Sequence, residues 1–88
     1  MVQLKDGRSV DLELFKFDSC PFCVRVLRKI EELGVDGIRL RDTRKDAGAA
    51  GDLVLRGGKQ QVPCLFIDGK ALYESLDINR WLDAHVAA

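Results

Sequence analysis

The chain lacks a long apolar run, an excess of charge of one sign and an even set of cysteines. No apolar stretch approaches the roughly 20 residues of a membrane-spanning helix, and no secretory signal is visible, so we expect no membrane partner. Fourteen basic and 14 acidic side chains give a formal net charge of zero, so charge predicts no nucleic-acid partner. Three cysteines are an odd count, which argues against a secreted disulfide framework. We therefore expect a cytoplasmic protein in a reducing environment.

The length of 88 residues predicts one small domain, residues 1–88. The apolar fraction of 47% is ordinary for a globular chain, so one modest core is feasible. The sequence contains no internal repeat, no low-complexity tract and no linker. We expect the domain to be a monomer.

Two cysteines, Cys20 and Cys23, stand two residues apart between an apolar, strand-like run and an amphipathic helical run. Pro21 fits the first position of that helix, where its missing N–H costs nothing. Cys20 then takes the N-cap position, where unpaired backbone N–H groups and the helix dipole favour a thiolate. Cys23 lies one turn further, on the apolar stripe, and has less access. We therefore predict a redox dithiol in which Cys20 attacks and Cys23 resolves, with Phe22 as an apolar contact beside the sulfur.

Hydrophobic periodicity and turn residues predict the element order β-α-β-α-β-β-α, an α/β fold with a mixed sheet of about four strands. The first strand is apolar almost throughout, so we expect it to be central and covered on both faces. Asp68-Gly69 predicts a hairpin, and Thr43 with Asp46 resembles a capping box that begins the second helix. The predicted strands are 12–17, 38–41, 62–67 and 71–73, and the predicted helices are 21–33, 43–56 and a last one capped by Ser75.

A Cys-x-x-Cys pair is also half of a zinc site, which requires two further ligands. Cys64 and His85 are the only other soft candidates in the sequence, and neither forms a paired motif, so we predict no metal. Cys64 follows Pro63 in a predicted strand, and side-chain alternation turns it away from the face that Pro63 presents. We interpret Cys64 and Trp81 as core residues and His85 as a partly exposed helix residue.

Two further motifs suggest a binding groove. Pro63 opens a strand, and taken alone it fits an ordinary edge-strand proline. In a thiol-redox domain a proline here is usually cis, which turns the backbone of Val62 outward to pair with an extended, peptide-like ligand. Glu74-Ser75 begins the last helix, where backbone N–H groups and a capping hydroxyl bind carboxylates. Plain helix capping explains Glu74-Ser75 equally well.

Together these motifs resemble the glutaredoxin family of the thioredoxin superfamily, over nearly the whole chain from residue 12 onward. The landmarks are Cys20-Pro21-Phe22-Cys23, Val62-Pro63, Asp68-Gly69-Lys70 and Glu74-Ser75. The resemblance implies a thioredoxin fold with a cis Pro63 and no tightly bound cofactor. It also implies reduction of protein disulfides and glutathione-mixed disulfides, with glutathione as co-substrate and disulfide-containing or glutathionylated proteins as partners. Carried over by position, the glutathione groove consists of Pro21, Phe22, Lys59, Gln60, Gln61, Val62, Pro63, Glu74 and Ser75.

Several positions depart from the usual glutaredoxin pattern. Gln61 stands where threonine usually precedes Val-Pro, and Phe17 stands where a lysine is common, with Lys16 one residue further from the dithiol. Glu74-Ser75, with Asp18 two residues before the first cysteine, is more similar to the N-terminal domain of glutathione transferases and of transferase-like glutaredoxins. Those proteins carry a further helical domain, whereas we expect one domain here.

Three alternative functions remain open at this point. The first is a dithiol reductant that depends on thioredoxin reductase. The second is a module that binds glutathione or an iron–sulfur cluster without turnover, although Pro21 stiffens the loop and disfavours a cluster. The third, a conjugating transferase, is disfavoured because it needs a second domain for its electrophile.

Overall fold

The computed structural model describes residues 1–87, which form a four-stranded mixed sheet, a two-stranded ribbon and three helices. The predicted order of strands and helices is confirmed, with the ribbon added at the start. The elements are β1 (Val2–Gln3), β2 (Ser9–Val10), β3 (Leu12–Lys16), α1 (Pro21–Leu33), β4 (Arg39–Asp42), α2 (Ala49–Gly57), β5 (Cys64–Ile67), β6 (Lys70–Tyr73) and α3 (Ser75–His85). No helix in this range is long and apolar enough to cross a membrane.

Strand β3 occupies the centre of the sheet, whose order is β4-β3-β5-β6. It pairs parallel with β4, as a strand–helix–strand crossover through α1 requires, and antiparallel with β5. Leu14 lies between Leu40 of β4 and Leu65 of β5. The predicted hairpin at Asp68-Gly69 joins β5 to β6, and both turn residues have positive φ angles. The buried central strand expected from the apolar run is therefore confirmed.

The sheet has a core on each face because side chains along β3 and β5 alternate between the two. Leu12, Leu14 and Leu65 pack towards α1 and α3, and the ribbon extends this first core. Phe15 and Phe66 pack on the opposite face towards α2, with their ring centroids 5.4 Å apart in an edge-to-face arrangement. The buried members of the two cores are Val2, Leu4, Val10, Leu12, Leu14, Val26, Leu65, Ile78, Leu82 and Val86 in the first, and Phe15, Ala49, Leu53, Cys64 and Phe66 in the second.

Helix α1 begins and ends where the sequence predicts. Cys20 is its N-cap and Pro21 its first residue. Gly34 ends the helix with a φ of 66°, and its N–H donates to the carbonyls of Ile30 and Glu31. The agreement at both ends follows from residues whose backbone preferences match their positions.

The second helix begins at Ala49 rather than near residue 43, so the predicted capping box of Thr43 and Asp46 is wrong. The Asp42 carboxylate instead accepts hydrogen bonds from the N–H groups of residues 44 and 45, at 2.9 and 3.0 Å. These bonds stabilise a turn, which competes with the helix for the same backbone groups. Gly48, with a φ of 84°, then leads into α2.

Several other boundaries differ from the sequence-based expectation, among them differences of one residue in β3, β4 and β6. Strand β5 begins at Cys64 rather than at residue 62, because Pro63 cannot donate to the ladder. Gly57 is the last residue of α2 rather than part of a loop. Glu74, not Ser75, is the N-cap of α3. Trp81 is only partly buried, against the edge of the first core, while His85 is exposed.

Candidate active site

The two cysteines of the Cys-x-x-Cys motif lie at the first turn of α1, and both are free thiols. The Cys20 sulfur accepts a hydrogen bond from the N–H of Cys23 at 3.4 Å, as an N-cap side chain does. Cys20 keeps 6% of its surface exposed, whereas Cys23 is fully buried. An incoming disulfide therefore meets Cys20 first.

The environment of Cys23 opposes its ionisation. Burial raises the pKa of the Cys23 thiol to about 12, and the neighbouring Cys20 acts in the same direction. A hydrogen bond from the backbone N–H of Phe17 and the positive charge of Lys16 act in the opposite direction. At neutral pH Cys23 is a protonated thiol, so it does not compete with Cys20 as the first nucleophile.

A cleft of about 250 Å³ opens beside the dithiol loop. Phe22 forms one wall, and the segment before β5 and the start of α3 form the others. The Val62–Pro63 peptide bond in this cleft is cis. The cleft brings together six of the nine residues that the sequence assigned to a glutathione groove, namely Phe22, Gln61, Val62, Pro63, Glu74 and Ser75.

The other three assigned residues lie outside the lining of this cleft. Pro21 is exposed at the first position of α1. Gln60 lines a neighbouring cleft of about 210 Å³, whose walls also include Phe17 and Arg44. The Lys59 ammonium lies 5.2 Å from the centre of the Tyr73 ring. The backbone carbonyl of Lys59 accepts a hydrogen bond from the Tyr73 hydroxyl at 3.1 Å.

Glu74 connects two walls of the main cleft. Its carboxylate accepts a hydrogen bond from the side-chain amide of Gln61 at 3.0 Å. Its φ of 72° is costly for a residue with a side chain, and such backbone strain concentrates at functional sites. Ser75 follows as the first residue of α3 and is 7% exposed. The start of α3 therefore faces the cleft, where a helix N-terminus favours an anion.

Charged side chains surround the base of the dithiol loop. The Lys16 ammonium lies 2.7 Å from an Asp18 oxygen and 3.4 Å from an Asp42 oxygen. Hydrogen bonds from Lys16 and Lys45 lower the pKa of Asp18 to about 2, so this carboxylate is ionised. On the other side of the loop, the Arg44 guanidinium lies 3.7 Å from the centre of the Phe17 ring.

Lys16 and Arg44, to which the sequence assigned no role, both lie next to the dithiol loop. Strand alternation supplies a signal for Lys16, because it places Lys16 on the same sheet face as Leu14, against which α1 packs. Arg44 has no comparable signal, since its position depends on the turn that Asp42 stabilises.

Cys64 is fully buried in the second core, on the face of the sheet opposite α1. Burial raises the pKa of the Cys64 thiol to about 11, and a hydrogen-bonding Tyr73 hydroxyl reduces this effect. The interpretation of Cys64 as a core residue is confirmed. Among residues 1–87, no group of three or more His, Cys, Asp or Glu side chains is arranged to hold a metal ion.

A family model described as Glutaredoxin matches residues 12–72, well over half of the chain. A solved glutaredoxin from wheat is similar in structure, with a TM-score of 0.64 and 26% identity, over 85% of this chain and 72% of the wheat chain. No curated protein sequence gives a significant match.

Solved glutathione transferases are similar to the same part of the chain. Glutathione transferase Omega 3C from Trametes versicolor has a TM-score of 0.69 and 26% identity, over 86% of this chain and 32% of its own. A delta-class glutathione transferase from Nilaparvata lugens has a TM-score of 0.71 and 25% identity, over 88% of this chain and 37% of its own. The chain spans about a third of the length of these transferases.

Proposed function

Because this chain belongs to the glutaredoxin family, whose members are thiol oxidoreductases, we propose that it uses glutathione to reduce protein disulfides and glutathione-mixed disulfides. The placement of the two thiols carries the proposal. Cys20 caps α1 at the surface, and Cys23 lies fully buried one turn behind it. This arrangement provides one accessible nucleophile and one protected resolving thiol.

The reaction begins when the Cys20 thiolate attacks the glutathione sulfur of a mixed disulfide. A bond forms between Cys20 and glutathione, and the target protein leaves as a thiolate that takes a proton from water. A second glutathione, as its thiolate, then attacks the glutathione bound to Cys20. Oxidised glutathione is released, and the Cys20 thiolate is regenerated.

Protein disulfides require the second thiol. Attack by Cys20 produces a mixed disulfide with the target, and Cys23 then attacks Cys20. The Cys20–Cys23 disulfide forms and the second target sulfur leaves as a thiolate. Two glutathione molecules reduce the Cys20–Cys23 disulfide and become oxidised glutathione.

The main cleft is the proposed position of the tripeptide. The backbone of Val62 would pair with its extended chain, and Phe22 would provide an apolar wall. The start of α3 at Ser75 would receive the γ-glutamyl carboxylate through backbone N–H groups. The hydrogen bond between Gln61 and Glu74 fixes the wall between these two positions.

Turnover of a glutathionylated peptide tests the proposal. The wild type, Cys20→Ser and Cys23→Ser would be assayed with glutathione and glutathione reductase, and separately with thioredoxin reductase alone. We expect Cys20→Ser to lose all turnover, because no nucleophile remains, and Cys23→Ser to retain turnover with glutathione.

Cys64→Ser is the matched control, because Cys64 lies on the other face of the sheet and should not affect turnover. Turnover that requires thioredoxin reductase and Cys23 would contradict the proposed use of glutathione. Retained turnover in Cys20→Ser would contradict the assignment of the nucleophile.

A further inference from the structure

A further cleft, of about 340 Å³, opens between the β1–β2 ribbon, the β5–β6 hairpin and the last turns of α3, and we call it the distal cleft. Ile67, which lines it, pairs with Leu12 at the start of β3, whereas the dithiol loop follows the end of β3. Helix α3 begins at the main cleft with Ser75 and reaches the distal cleft with His85. The helical rise puts these two residues about 15 Å apart. The distal cleft is therefore separate from the proposed active site.

The interior of the distal cleft is apolar, with one aromatic wall. Leu4 and Val10 of the ribbon line it and are 4% and 5% exposed. Trp81 forms the wall, and its ring centroid lies 5.1 Å from that of His85, one turn later on α3. A volume of about 340 Å³ falls within the range of small-molecule sites, roughly 300–1,000 Å³. The interior therefore suits a small ligand with a planar, apolar ring.

The rim of the distal cleft offers hydrogen-bond donors that have no partner. The Asp68 carboxylate is already engaged, because it accepts the N–H of Asp11 at 2.7 Å and so ties the hairpin to the start of β3. Lys70 is exposed and forms no ion pair within the part of the chain that the structure describes. Arg8 binds Asp6 through Nε at 2.7 Å, and its two terminal nitrogens have no partner in that same part. A ligand therefore meets two available cations at the rim.

The carboxyl end of α3 also faces this region, and by itself it would disfavour an anion, since helix carbonyls carry partial negative charge there. The ribbon offsets this charge. The Lys5 ammonium donates to the carbonyl of Asp83 at 2.7 Å, and the N–H of Lys5 donates to the carbonyl of His85 at 2.8 Å. The helix end is therefore capped by a cation of its own, which leaves Arg8 and Lys70 available to a ligand.

Most of the distal cleft lies outside residues 12–72, the part of the chain that the family model matches. Leu4, Arg8 and Val10 precede that part, whereas Trp81 and His85 follow it. The cleft therefore depends on the ribbon and on the end of α3, which this chain adds to the matched part.

We propose that the distal cleft is a second binding site, which takes a small aromatic anion, namely a planar ring system that carries a carboxylate or a sulfonate. The ring lies against Trp81 and the apolar interior, and the anionic group accepts hydrogen bonds from Lys70 and Arg8 at the rim. The site uses neither thiol of the dithiol motif, so the inference does not depend on the proposed function.

The dye 8-anilinonaphthalene-1-sulfonate (ANS) is the probe, because it combines aromatic rings with a sulfonate. Titrated into the full chain, it should bind with one-to-one stoichiometry, gain fluorescence and quench Trp81, the single tryptophan. Lys70→Gln and Arg8→Gln should each weaken binding about fivefold, the upper end of the effect of an exposed ion pair. Both side chains are exposed, so each variant should keep the far-UV circular dichroism spectrum of the wild type.

Three controls locate the dye. Arg25→Gln removes an exposed cation whose guanidinium lies 5.4 Å from the centre of the Phe22 ring, at the main cleft, and should leave the affinity for ANS unchanged. Excess glutathione should not displace the dye. N-Phenyl-1-naphthylamine has the same rings without the sulfonate, so it should bind the wild type and Lys70→Gln equally.

Equal affinity of ANS for the wild type and both rim variants, binding without quenching of Trp81, or displacement by glutathione would overturn the inference. Failure of the proposed function has a different signature, because Cys20→Ser lacks the nucleophile but should bind ANS as the wild type does. A protein that shows no glutathione turnover but binds ANS with dependence on Lys70 and Arg8 would lose the proposed function and retain this site.

Discussion

Glu13 provides the sharpest test of how this small domain is stabilised. It is the second residue of β3 and is 2% exposed, on the face that α2 covers. Its carboxylate lies 2.9 Å from Arg56, 3.1 Å from Arg41 and 3.5 Å from Arg39. Glu13→Gln keeps the shape of the side chain and removes its charge. The amide then turns an N–H₂ group or a neutral oxygen towards guanidinium groups that had bound a carboxylate.

The expected cost follows from the exposure of the partners. Removal of one member of a fully buried ion pair costs about 3–5 kcal/mol. The side chains of Arg41, Arg56 and Arg39 are 23%, 38% and 58% exposed. Water can therefore replace part of the hydrogen bonding that these guanidinium groups lose when the carboxylate is removed. We therefore expect Glu13→Gln to lower the free energy of unfolding by about 2 kcal/mol. For a domain of this size such a loss lowers Tm by roughly 10 °C.

Urea unfolding, followed by the fluorescence of the single tryptophan, Trp81, measures this change. Glu32→Gln is the matched control, because Glu32 is 68% exposed and its contact with Lys29 is 3.6 Å long. The control should change stability by less than about 0.5 kcal/mol. A Glu13→Gln variant as stable as this control would refute the reasoning.

The pH dependence of the free energy of unfolding gives a second test of the interaction between Glu13 and its arginines. Burial opposes the charge of Glu13, but hydrogen bonds from Arg56 and Arg41 outweigh burial and hold its pKa below the usual 4.5. The carboxylate therefore stabilises the fold fully above pH 4.5, and this contribution is lost as the pH falls towards the lower pKa of the folded state. The difference between wild type and Glu13→Gln should shrink below this pH. A difference that stays constant into acid would mean that packing, not charge, causes it.

Two further predictions concern the second core and the buried thiols. Gly57→Ala would place a methyl group against the Tyr73 hydroxyl, so we expect a loss of about 1–3 kcal/mol in urea unfolding, partly recovered in a double variant with Tyr73→Phe. Burial raises the pKa values of Cys64 and Cys23, so their neutral thiols stabilise the fold below the unfolded value of about 9. This stability should be lost as pH rises towards 11 for Cys64, and Cys64→Ala should flatten the alkaline decrease in the urea midpoint.

The segment from β3 to the end of α1 could be predicted from the sequence because its signals are local. The apolar run specifies a buried strand, and Cys20, Pro21 and Gly34 each have a backbone preference that matches their position. The placement of the two thiols follows from the same signals, since it is set by the start of α1. The residues of the main cleft could be predicted only by combining motifs that are distant in sequence.

The start of α2 was predicted wrongly because two local signals compete: the Asp42 carboxylate binds the N–H groups of residues 44 and 45, which the predicted capping box would have placed in the helix. The N-cap of α3 could not be predicted because its conformation involves a residue distant in sequence. Glu74 adopts a positive φ that its own residue type disfavours, and its side chain binds Gln61, far away in the sequence. Glu13 has the same difficulty, because its arginine partners lie on β4 and α2.

The alternation of side chains along β3 separates the two faces of the sheet. Glu13 faces α2 and the arginines, whereas Leu12 and Leu14 pack towards α1, which carries the dithiol. Glu13→Gln should therefore lower the free energy of unfolding while turnover of a glutathionylated peptide, assayed well below Tm, stays unchanged. Cys20→Ser should abolish turnover with little effect on unfolding, because serine is also a good N-cap. Since sites that share no partner contribute additively, the double variant should show the sum of both effects. Coupling between them would mean that the strand transmits strain from one face to the other.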